Sequence, residues 1–284
     1  MQYWGNGAHD IIRLQNGDYI TSVMSGSFLL RTTETGQLVW SAEAEAEQLV
    51  ATPDGGWAAA LGATITKYSS NNTIQWSYYY NYGQPGSTYY DDGSIAQLPD
   101  GGFVLVNERT ISTIGAGSGD MLVIKTDSQG QPVWGNAYGG IGMDEAEDVI
   151  VSADSNIVLV GTTKNYPTTI LDKAICAKID AAGNVIWSKT YPQSTYVYEG
   201  AVAEASDGGF YIAAERYYEG LFIKTDSNGF TNCNENTANL TVTPLTVTTS
   251  PGLTTAPATI TVSPSSLTVV PTPVNQTVLC GGCQ

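Results

Sequence analysis

The chain has 284 residues, of which 42% are apolar and only 13% are charged, and its formal net charge is -16 at pH 7. A protein of this charge lacks the clustered Lys and Arg that neutralise phosphates, so nucleic-acid binding is excluded. No run of apolar residues approaches the length needed to span a bilayer. An acidic surface covered mainly by Thr, Ser, Asn, Gln and Tyr predicts a protein of the cell exterior.

A phrase that runs from a basic residue through a turn to Trp recurs along the chain. Five copies span residues 31–40, 67–76, 125–134, 178–187 and 224–233. Their basic residues are Arg31, Lys67, Lys125, Lys178 and Lys224, and the first four copies end in Trp40, Trp76, Trp134 and Trp187. The fifth copy ends in Cys233, and the missing unit occurs at the N-terminus, where the sequence around Trp4 matches that around Trp134. The N-terminus is therefore predicted to be the displaced last strand of the last repeat.

Each repeat is predicted to contain four short strands. In the fourth repeat, β-branched runs at 147–152, 157–161, 174–178 and 185–187 are separated by Gly, Asn and Asp, which is typical of hairpins. Repeat lengths of about 36 to 58 residues bracket those of propeller blades. The predicted fold is all-β: a five-bladed β-propeller over residues 1–232, closed into a ring by the N-terminal strand, and a strand-rich Thr/Pro tail over 233–284. The second repeat departs most from the pattern, because Asn71-Asn72 replaces its turn glycine.

The run from Asp-Gly-Gly through Lys-Thr-Asp-Ser-x-Gly to Trp resembles the repeats of secreted prokaryotic propeller proteins, many of which end in a Thr/Pro-rich tail. The resemblance covers residues 1 to about 232, and its motifs specify fold rather than activity. The repeats are also similar to those of propeller subunits that build extracellular filaments. The resemblance implies a secreted protein and raises the expectation that it polymerises.

The segment from Thr237 to Gln284 has no charged residue. Apolar residues alternate with Thr at 240–243, 245–248, 259–262 and 267–270, which favours short strands, and the intervening prolines permit pairing only at a sheet edge. Such a tail needs a partner surface, either on its own propeller or on another subunit. Cys233, Cys280 and Cys283 cluster around the tail, and a disulfide between two of them, with the pairing left open, would hold the C-terminus in place.

The segments that lead into the first strand of each repeat are rich in carboxylates. Aligning the repeats brings these residues to one rim of the propeller: Asp91, Asp92, Asp144, Glu145, Glu147 and Asp148, with Asp10, Glu45, Glu47, Glu199 and the single histidine, His9, nearby. Hard oxygen ligands at high negative charge favour Ca²⁺, which is the one cofactor predicted. A solvated acidic face without a ligand is the alternative. A glycoside hydrolase is a third interpretation, but nothing singles out the pair of carboxylates it needs, so no catalytic residue is predicted.

The other candidate residues have structural or covalent roles. The recurring basic residue predicts an ion pair or a carbonyl contact within each blade, the tryptophans predict packing, and Cys176 predicts a small core residue. Asn71, Asn239 and Asn275 begin glycosylation triplets. Tyr runs at 78–82, 89–90, 196–198 and 217–218 predict exposed aromatic surface for protein interfaces or sugar stacking.

These patterns together predict a non-enzymatic extracellular structural protein that assembles with copies of itself, head to tail into a filament, through its tail and its Tyr-rich loops. A glycan-binding or adhesive module is the alternative, and a glycoside hydrolase comes third. The predicted partners are other copies of the chain and, in the alternative, glycans.

Overall fold

A computed structural model describes residues 8–23, 28–44, 46–82, 93–107, 119–164, 172–191, 197–216, 219–233 and 235–252. Within these ranges every regular element is a β-strand, and no helix is present that could cross a membrane. The first nineteen strands form five antiparallel sheets in which neighbours in sequence are neighbours in space. This meander is the arrangement of propeller blades, and the predicted five-bladed β-propeller is confirmed.

Blades 1 and 2 consist of β1 (Ala8–Arg13), β2 (Tyr19–Val23), β3 (Phe28–Thr32) and β4 (Leu38–Glu43), and of β5 (Gln48–Ala51), β6 (Trp57–Leu61), β7 (Thr64–Tyr68) and β8 (Ile74–Asn81). Blades 3 and 4 consist of β9 (Gly93–Gln97), β10 (Phe103–Asn107), β11 (Met121–Thr126) and β12 (Pro132–Gly139), and of β13 (Asp144–Val151), β14 (Ile157–Thr163), β15 (Lys173–Ile179) and β16 (Val185–Tyr191). Blade 5 consists of β17 (Tyr198–Glu204), β18 (Phe210–Arg216) and β19 (Glu219–Lys224), and the tail adds β20 (Asn236–Thr237), β21 (Thr241–Leu245) and β22 (Thr248–Pro251).

The core of the propeller lies between neighbouring blades. The first strands β1, β5, β9, β13 and β17 lie beside one another in turn, so the sheets of blades 2, 3 and 4 each present their two faces to the sheets before and after them. Between blades 4 and 5, Val158 and Cys176 pack against Phe210 and Ile212, and all four side chains are buried. The prediction that Cys176 is a core residue is thereby confirmed.

The strands predicted for the fourth repeat are confirmed with longer bounds. β13 begins at Asp144 rather than at residue 147, because a β-bulge between Ala146 and Asp148 lets its pairing with β14 continue beyond the irregularity. A bulge inserts one extra residue and bends the strand without ending the ladder. The extra residue is Glu147, one of the predicted calcium ligands.

The turn between the third and fourth strands of a blade requires a left-handed residue. Glycine supplies it in blades 1, 3 and 4, and blade 2 uses Asn72 with a φ of 64°. Asn is among the few non-glycine residues that tolerate this region. Its Oδ1 also accepts a hydrogen bond from Trp57 Nε1 at 3.2 Å, so the hairpin of the most divergent repeat is intact.

Blade 5 has three strands among the described residues. After β19 the chain makes the usual turn, in which Asp226 N donates to the carbonyl of Phe230, and then continues to β20 on blade 4 instead of forming a fourth strand. Cys233 therefore occupies the Trp position of the repeat without entering blade 5. Trp4 and its neighbours, which the sequence assigns to this place, lie outside the described residues, so the closing strand stays a prediction.

The tail runs along the perimeter of its own propeller. β20 pairs with β16 of blade 4, β21 with β12 of blade 3 and β22 with β8 of blade 2, each time antiparallel. The partner surface for residues 236–251 is therefore the chain's own blades. The first two predicted tail strands are present in shifted positions, and the segments at 259–262 and 267–270 lie outside the described residues. Pro244 is tolerated within β21 because that strand is outermost and its free edge needs no donor.

Candidate functional site at the upper rim

Asp144 and Glu145, two of the carboxylates singled out in the sequence, lie at the start of β13, at one end of the propeller. First and third strands begin there and second and fourth strands end there, so loops from every strand pair converge on this upper rim. At the junction of blades 3 and 4 it carries a group of charged residues, here called the acidic rim cluster: Asp120, Asp144, Glu145, Lys164 and Asp172.

Asp144 is a buried carboxylate at the start of β13. Its Oδ2 accepts a hydrogen bond from Gly140 N at 2.7 Å. Burial raises the pKa of Asp144 above its ordinary value, hydrogen bonds from Thr163 and Gly140 oppose the rise, and the charge of Glu145 adds to it. A Cβ on the preceding residue, Gly139, would lie 2.2 Å from Asp120 Oδ1 and 2.9 Å from Asp144 Oδ2, so a side chain there would displace these carboxylates. Asp144 is therefore fixed in position by backbone contacts.

Lys164 is the cation of the cluster. Its Nζ lies 4.0 Å from Glu145 Oε1 and 3.8 Å from Asp172 Oδ2. Thr162 Oγ1 donates to the other oxygen of Glu145 at 3.1 Å. Burial raises the pKa of Asp172, and the nearby Lys164 charge opposes that shift. The cluster is thus a mixed-charge network in which one ammonium group is shared between two carboxylates.

Asp148 joins the first strands of three blades. Its Oδ1 accepts hydrogen bonds from Ser94 Oγ at 2.7 Å and from Val149 N at 2.8 Å, and its Oδ2 accepts one from Val202 N at 2.8 Å. Burial raises its pKa, and these three hydrogen bonds oppose the rise. Both oxygens are therefore engaged in holding β9, β13 and β17 together.

Two further carboxylates play the same part elsewhere around the ring. Asp10 accepts hydrogen bonds from Ile11 N at 2.7 Å and, in the next blade, from Leu49 N at 2.6 Å. Glu47 is buried, and its Oε2 accepts from Gly62 N at 2.9 Å and from Gly93 N at 3.1 Å. Carboxylates on the channel wall thus bridge the backbones of successive blades, a role that the sequence does not reveal because the partners are far apart along the chain.

The calcium prediction stays a prediction. Asp91 and Asp92 lie outside the described residues, and the residues that are described contain no group of three His, Cys, Asp or Glu side chains suited to a metal ion. Glu147 is half-buried in the bulge of β13. The alternative of a solvated acidic face is wrong for Asp144, because that side chain is buried and hydrogen-bonded.

The recurring basic residue forms an ion pair in every blade, as predicted. The pairs are Arg31 with Asp18 at 2.8 Å, Lys67 with Asp54 at 2.9 Å, Lys125 with Asp100 at 3.1 Å, Lys178 with Asp154 at 2.6 Å and Lys224 with Asp207 at 2.8 Å. Each pair joins the third strand to the turn between the first two strands of the same blade. These residues are structural.

The repeat tryptophans contact the following blade, which confirms their predicted packing role. Trp134 Nε1 donates to the carbonyl of Ala181 at 3.1 Å, and Trp187 Nε1 donates to that of Ser227 at 3.2 Å. Trp76 packs edge-on against Phe103 with ring centroids 5.7 Å apart, and Trp40 stacks on Trp57 at 6.4 Å. Trp4 lies outside the described residues.

Two residues of the first Tyr run are buried, so the prediction of an exposed aromatic surface is wrong for them. Tyr80 donates to the carbonyl of Gly130 at 2.9 Å, and Tyr82 donates to Asn107 Oδ1 at 2.6 Å. The sequence signal for Tyr80 is its place four residues after the repeat Trp, which Tyr138 and Tyr191 share. The runs at 89–90 and 217–218, and Tyr196, lie outside the described residues.

The covalent predictions are not decided. Asn71 lies exposed in the turn between β7 and β8, and Asn239 lies exposed between β20 and β21, while Asn275 is outside the described residues. Cys233 lies just before β20, and Cys280 and Cys283 are outside the described residues, so the tail disulfide stays a prediction.

Comparison with known proteins supports the fold alone. No protein-family model matches the chain, and no curated protein matches its sequence. A protein of unknown function from Bacteroides caccae aligns with a TM-score of 0.50 and 11% identity over 80% of this chain and 80% of its own. A streptogramin B lyase aligns with a TM-score of 0.50 and 13% identity over 80% of this chain and 70% of its own.

Regucalcin from Agrobacterium tumefaciens, a calcium-binding protein, aligns with a TM-score of 0.41 and 12% identity over 75% of this chain and 70% of its own. A likeness at that score carries no argument for calcium here. The chain is thus a β-propeller with distant propeller neighbours. Because one of them is an enzyme, the fold does not by itself separate a catalytic from a structural role.

Proposed function

We propose that the protein is a non-catalytic structural protein of the cell exterior whose copies associate with one another, the outer face of blade 5 of one copy packing against blade 1 of the next. The observation that carries the proposal is the exposure of these two faces. Phe222 on blade 5 is 82% exposed, whereas its equivalents Leu29, Ile65, Val123 and Cys176 in the other blades are at most 1% exposed.

The neighbouring positions repeat the contrast. Tyr211 is 56% exposed, although its four equivalents, Ile20, Ala58, Val104 and Val158, are fully buried. On blade 1, Ile11 is 59% exposed, whereas Leu49, Ile95, Val149 and Val202 at the same position in other blades are buried. Exposed apolar surface of this kind marks an interface. At the four junctions within the chain the same positions are covered by the neighbouring blade. The exposed face of blade 5 therefore fits blade 1 of another copy.

A contact of blade 5 with the next copy's blade 1 uses two different surfaces. Such heterologous association propagates into a filament unless the rotation between copies closes a ring. A catalytic role receives less support, since Asp148, Asp10 and Glu47 bond to the chain's own backbone. The described tail strands lie on their own blades, so residues 236–251 do not supply the contact between copies. No described residue favours the glycan-binding alternative.

The test is the substitution Phe222→Lys, with Ile141→Lys as the matched control because Ile141 is an 87% exposed residue of the rim loop after β12. We expect the wild-type protein to associate with rising concentration in sedimentation velocity and to form fibres in negative stain. Phe222→Lys should stay monomeric at the same melting temperature, and Ile141→Lys should behave as wild type.

Two results would overturn the proposal. One is a wild-type protein that is monomeric at every concentration. The other is a Phe222→Lys variant that associates like wild type. A wild-type monomer whose stability falls on Phe222→Lys would instead show that blades 5 and 1 of one chain cover each other and close the ring.

A further inference from the structure

The tail strands advance around the propeller in equal steps. Thr237 lies opposite Lys189 on blade 4, Pro244 lies opposite Asn136 on blade 3, and Pro251 lies opposite Tyr78 on blade 2. Each of these partners is the second residue after the repeat Trp of its blade. The tail therefore uses seven residues for each blade that it crosses.

Apolar tail residues fill the grooves between the blades. Ala238 and Leu240 pack into the core between blades 3 and 4, and Leu245 and Val247 pack into the core between blades 2 and 3. The threonines that follow Leu240 and Val247 are exposed. One face of the tail thus closes the outer end of these two interblade cores, and the other face meets solvent.

The same pattern continues beyond the described residues, with one step of six residues, from Val247 to Leu253, among steps of seven. An apolar residue followed by Thr and, after two more residues, by Pro occurs five times: Leu240–Pro244, Val247–Pro251, Leu253–Pro257, Ile260–Pro264 and Leu267–Pro271. The first two units supply the groove residues Leu240 and Val247. Five units match the five junctions that a five-bladed propeller forms, when the junction between blades 5 and 1 is included.

We propose that residues 253–271 continue this belt in the same direction. Leu253 fills the groove between blades 1 and 2, Ile260 fills the groove where blade 1 meets blade 5, and Leu267 fills the groove between blades 5 and 4. The receiving edge for the third unit is β4, which has no partner on its outer side among the described strands. Gly252 N donates to the carbonyl of Ser77 on blade 2 at 3.0 Å. Because Leu253 is the next residue, it must lie close to blade 2 and cannot reach a more distant surface.

The belt deepens the proposed function, because the blade 5 that Ile260 meets belongs to the next copy if the proposed association holds. The fifth unit then returns the tail to a groove beside blade 4, where β20 and the preceding Cys233 lie.

Cys280 or Cys283 can there form a disulfide with Cys233. Two thiols would lose two protons and two electrons to an added disulfide oxidant such as oxidised glutathione, which is reduced to two thiols. Non-reducing electrophoresis would show a ladder if the bond joins copies and a monomer band if it lies within one chain.

Hydrogen exchange of the full-length protein tests the belt. We expect the amides of residues 253–271 to exchange at least tenfold more slowly than unprotected amides. Leu253→Lys and Ile260→Lys should remove that protection while residues 241–251 stay protected. The matched controls are Thr254→Lys and Thr261→Lys, which place the same charge on the solvent face of an edge strand and should keep it.

The belt is wrong if residues 253–271 exchange at the unprotected rate in the wild-type protein, or if the inward and outward substitutions act alike. These outcomes are separable from failure of the proposed function. Protection of residues 253–257, which the belt places on blades 1 and 2 of the same chain, is read at any state of association, whereas the Phe222→Lys test measures association itself.

Discussion

The hydroxyl of Tyr138 on blade 3 donates a hydrogen bond of 2.7 Å to the carbonyl of Gly183 on blade 4. Tyr80 and Tyr191 make the same contact with Gly130 and Gly229 of the blades that follow them. Burial raises the pKa of Tyr138 to about 12, so its hydroxyl remains a donor at any physiological pH. These bonds and the repeat tryptophans hold blades 1 to 5 together at the outer ends of their four junctions.

Removing that hydroxyl should weaken the junction. Tyr138→Phe leaves a buried carbonyl without its donor, so we expect the free energy of unfolding to fall by about 1–2 kcal/mol in urea titrations. Tyr19→Phe, at a partly exposed tyrosine of β2, is the control and should change it by less than about 0.5 kcal/mol. Equal effects of the two substitutions would contradict a special role for the interblade bond.

The accepting glycine should tolerate no side chain. Gly183 has a φ of 86°, and an added Cβ would lie 2.6 Å from Asn136 Nδ2, whereas Gly36 has a φ of 82° with no atom within 4 Å of that position. Gly36→Ala therefore incurs the strain of the left-handed conformation alone, about 1 kcal/mol. Gly183→Ala adds a steric clash, and we expect a total loss of roughly 3 kcal/mol in the same titration. Equal losses of stability for Gly183→Ala and Gly36→Ala would show that the contact between blades 3 and 4 relaxes to accept the added methyl group.

The ion pair of Lys178 and Asp154 should respond unequally to removal of its partners. The Lys178 side chain is 7% exposed and that of Asp154 is 53% exposed. Asp154→Ala strands a buried ammonium group, and we expect a loss of roughly 2–3 kcal/mol, which is below the usual range for a fully buried pair because water reaches the carboxylate. Lys178→Met keeps the apolar stem and leaves a half-solvated carboxylate, so about 1 kcal/mol should be lost. A larger loss for Lys178→Met than for Asp154→Ala would contradict the conclusion that Lys178 is the buried partner that depends on the ion pair.

The same pair should make stability depend on pH. Burial alone would raise the pKa of Asp154, but hydrogen bonds from Lys178 and Ser152 outweigh it and hold the pKa well below its ordinary value. A depressed pKa in the folded state contributes stability above the unfolded value of about 3.9, and that contribution is lost as the pH falls below it. The difference in stability between wild type and Asp154→Ala should therefore be constant from about pH 7 to pH 5 and shrink toward pH 3. A difference that grows with acid would contradict the pairing.

Calcium should leave the described rim unchanged. A ligand present at a hundred times its dissociation constant raises the stability of the folded state by about 2.7 kcal/mol. Because both oxygens of Asp148 already accept hydrogen bonds from the protein, we expect identical calorimetric melting curves in millimolar Ca²⁺ and in chelator. A higher melting temperature in Ca²⁺ would support a site that includes Asp91 and Asp92.

Much of the architecture is determined by the sequence itself. Strand periodicity, hairpin turns and the spacing from Lys178 to Trp187 are local features, and a meander pairs each strand with its sequence neighbour, so the blades follow from short-range pattern. The ion pairs of the repeat were predictable for the same reason, because Lys178 and Asp154 lie in one blade and recur at the same positions in the others.

Only the tertiary structure decided which surfaces meet. An uncharged strand-forming tail satisfies its hydrogen bonds equally well on any free sheet edge, and the pairing of Thr237 with Lys189 first shows that the edge is its own. Likewise, a carboxylate such as Asp148 is suited by composition to a metal or to solvent. Its bonds to Ser94 and Val202, each more than fifty residues away, arise only when the ring brings three first strands together. The exposure of Phe222 is decided in the same way, since the residue is apolar like its equivalents and differs from them only in that none of the described blades covers it.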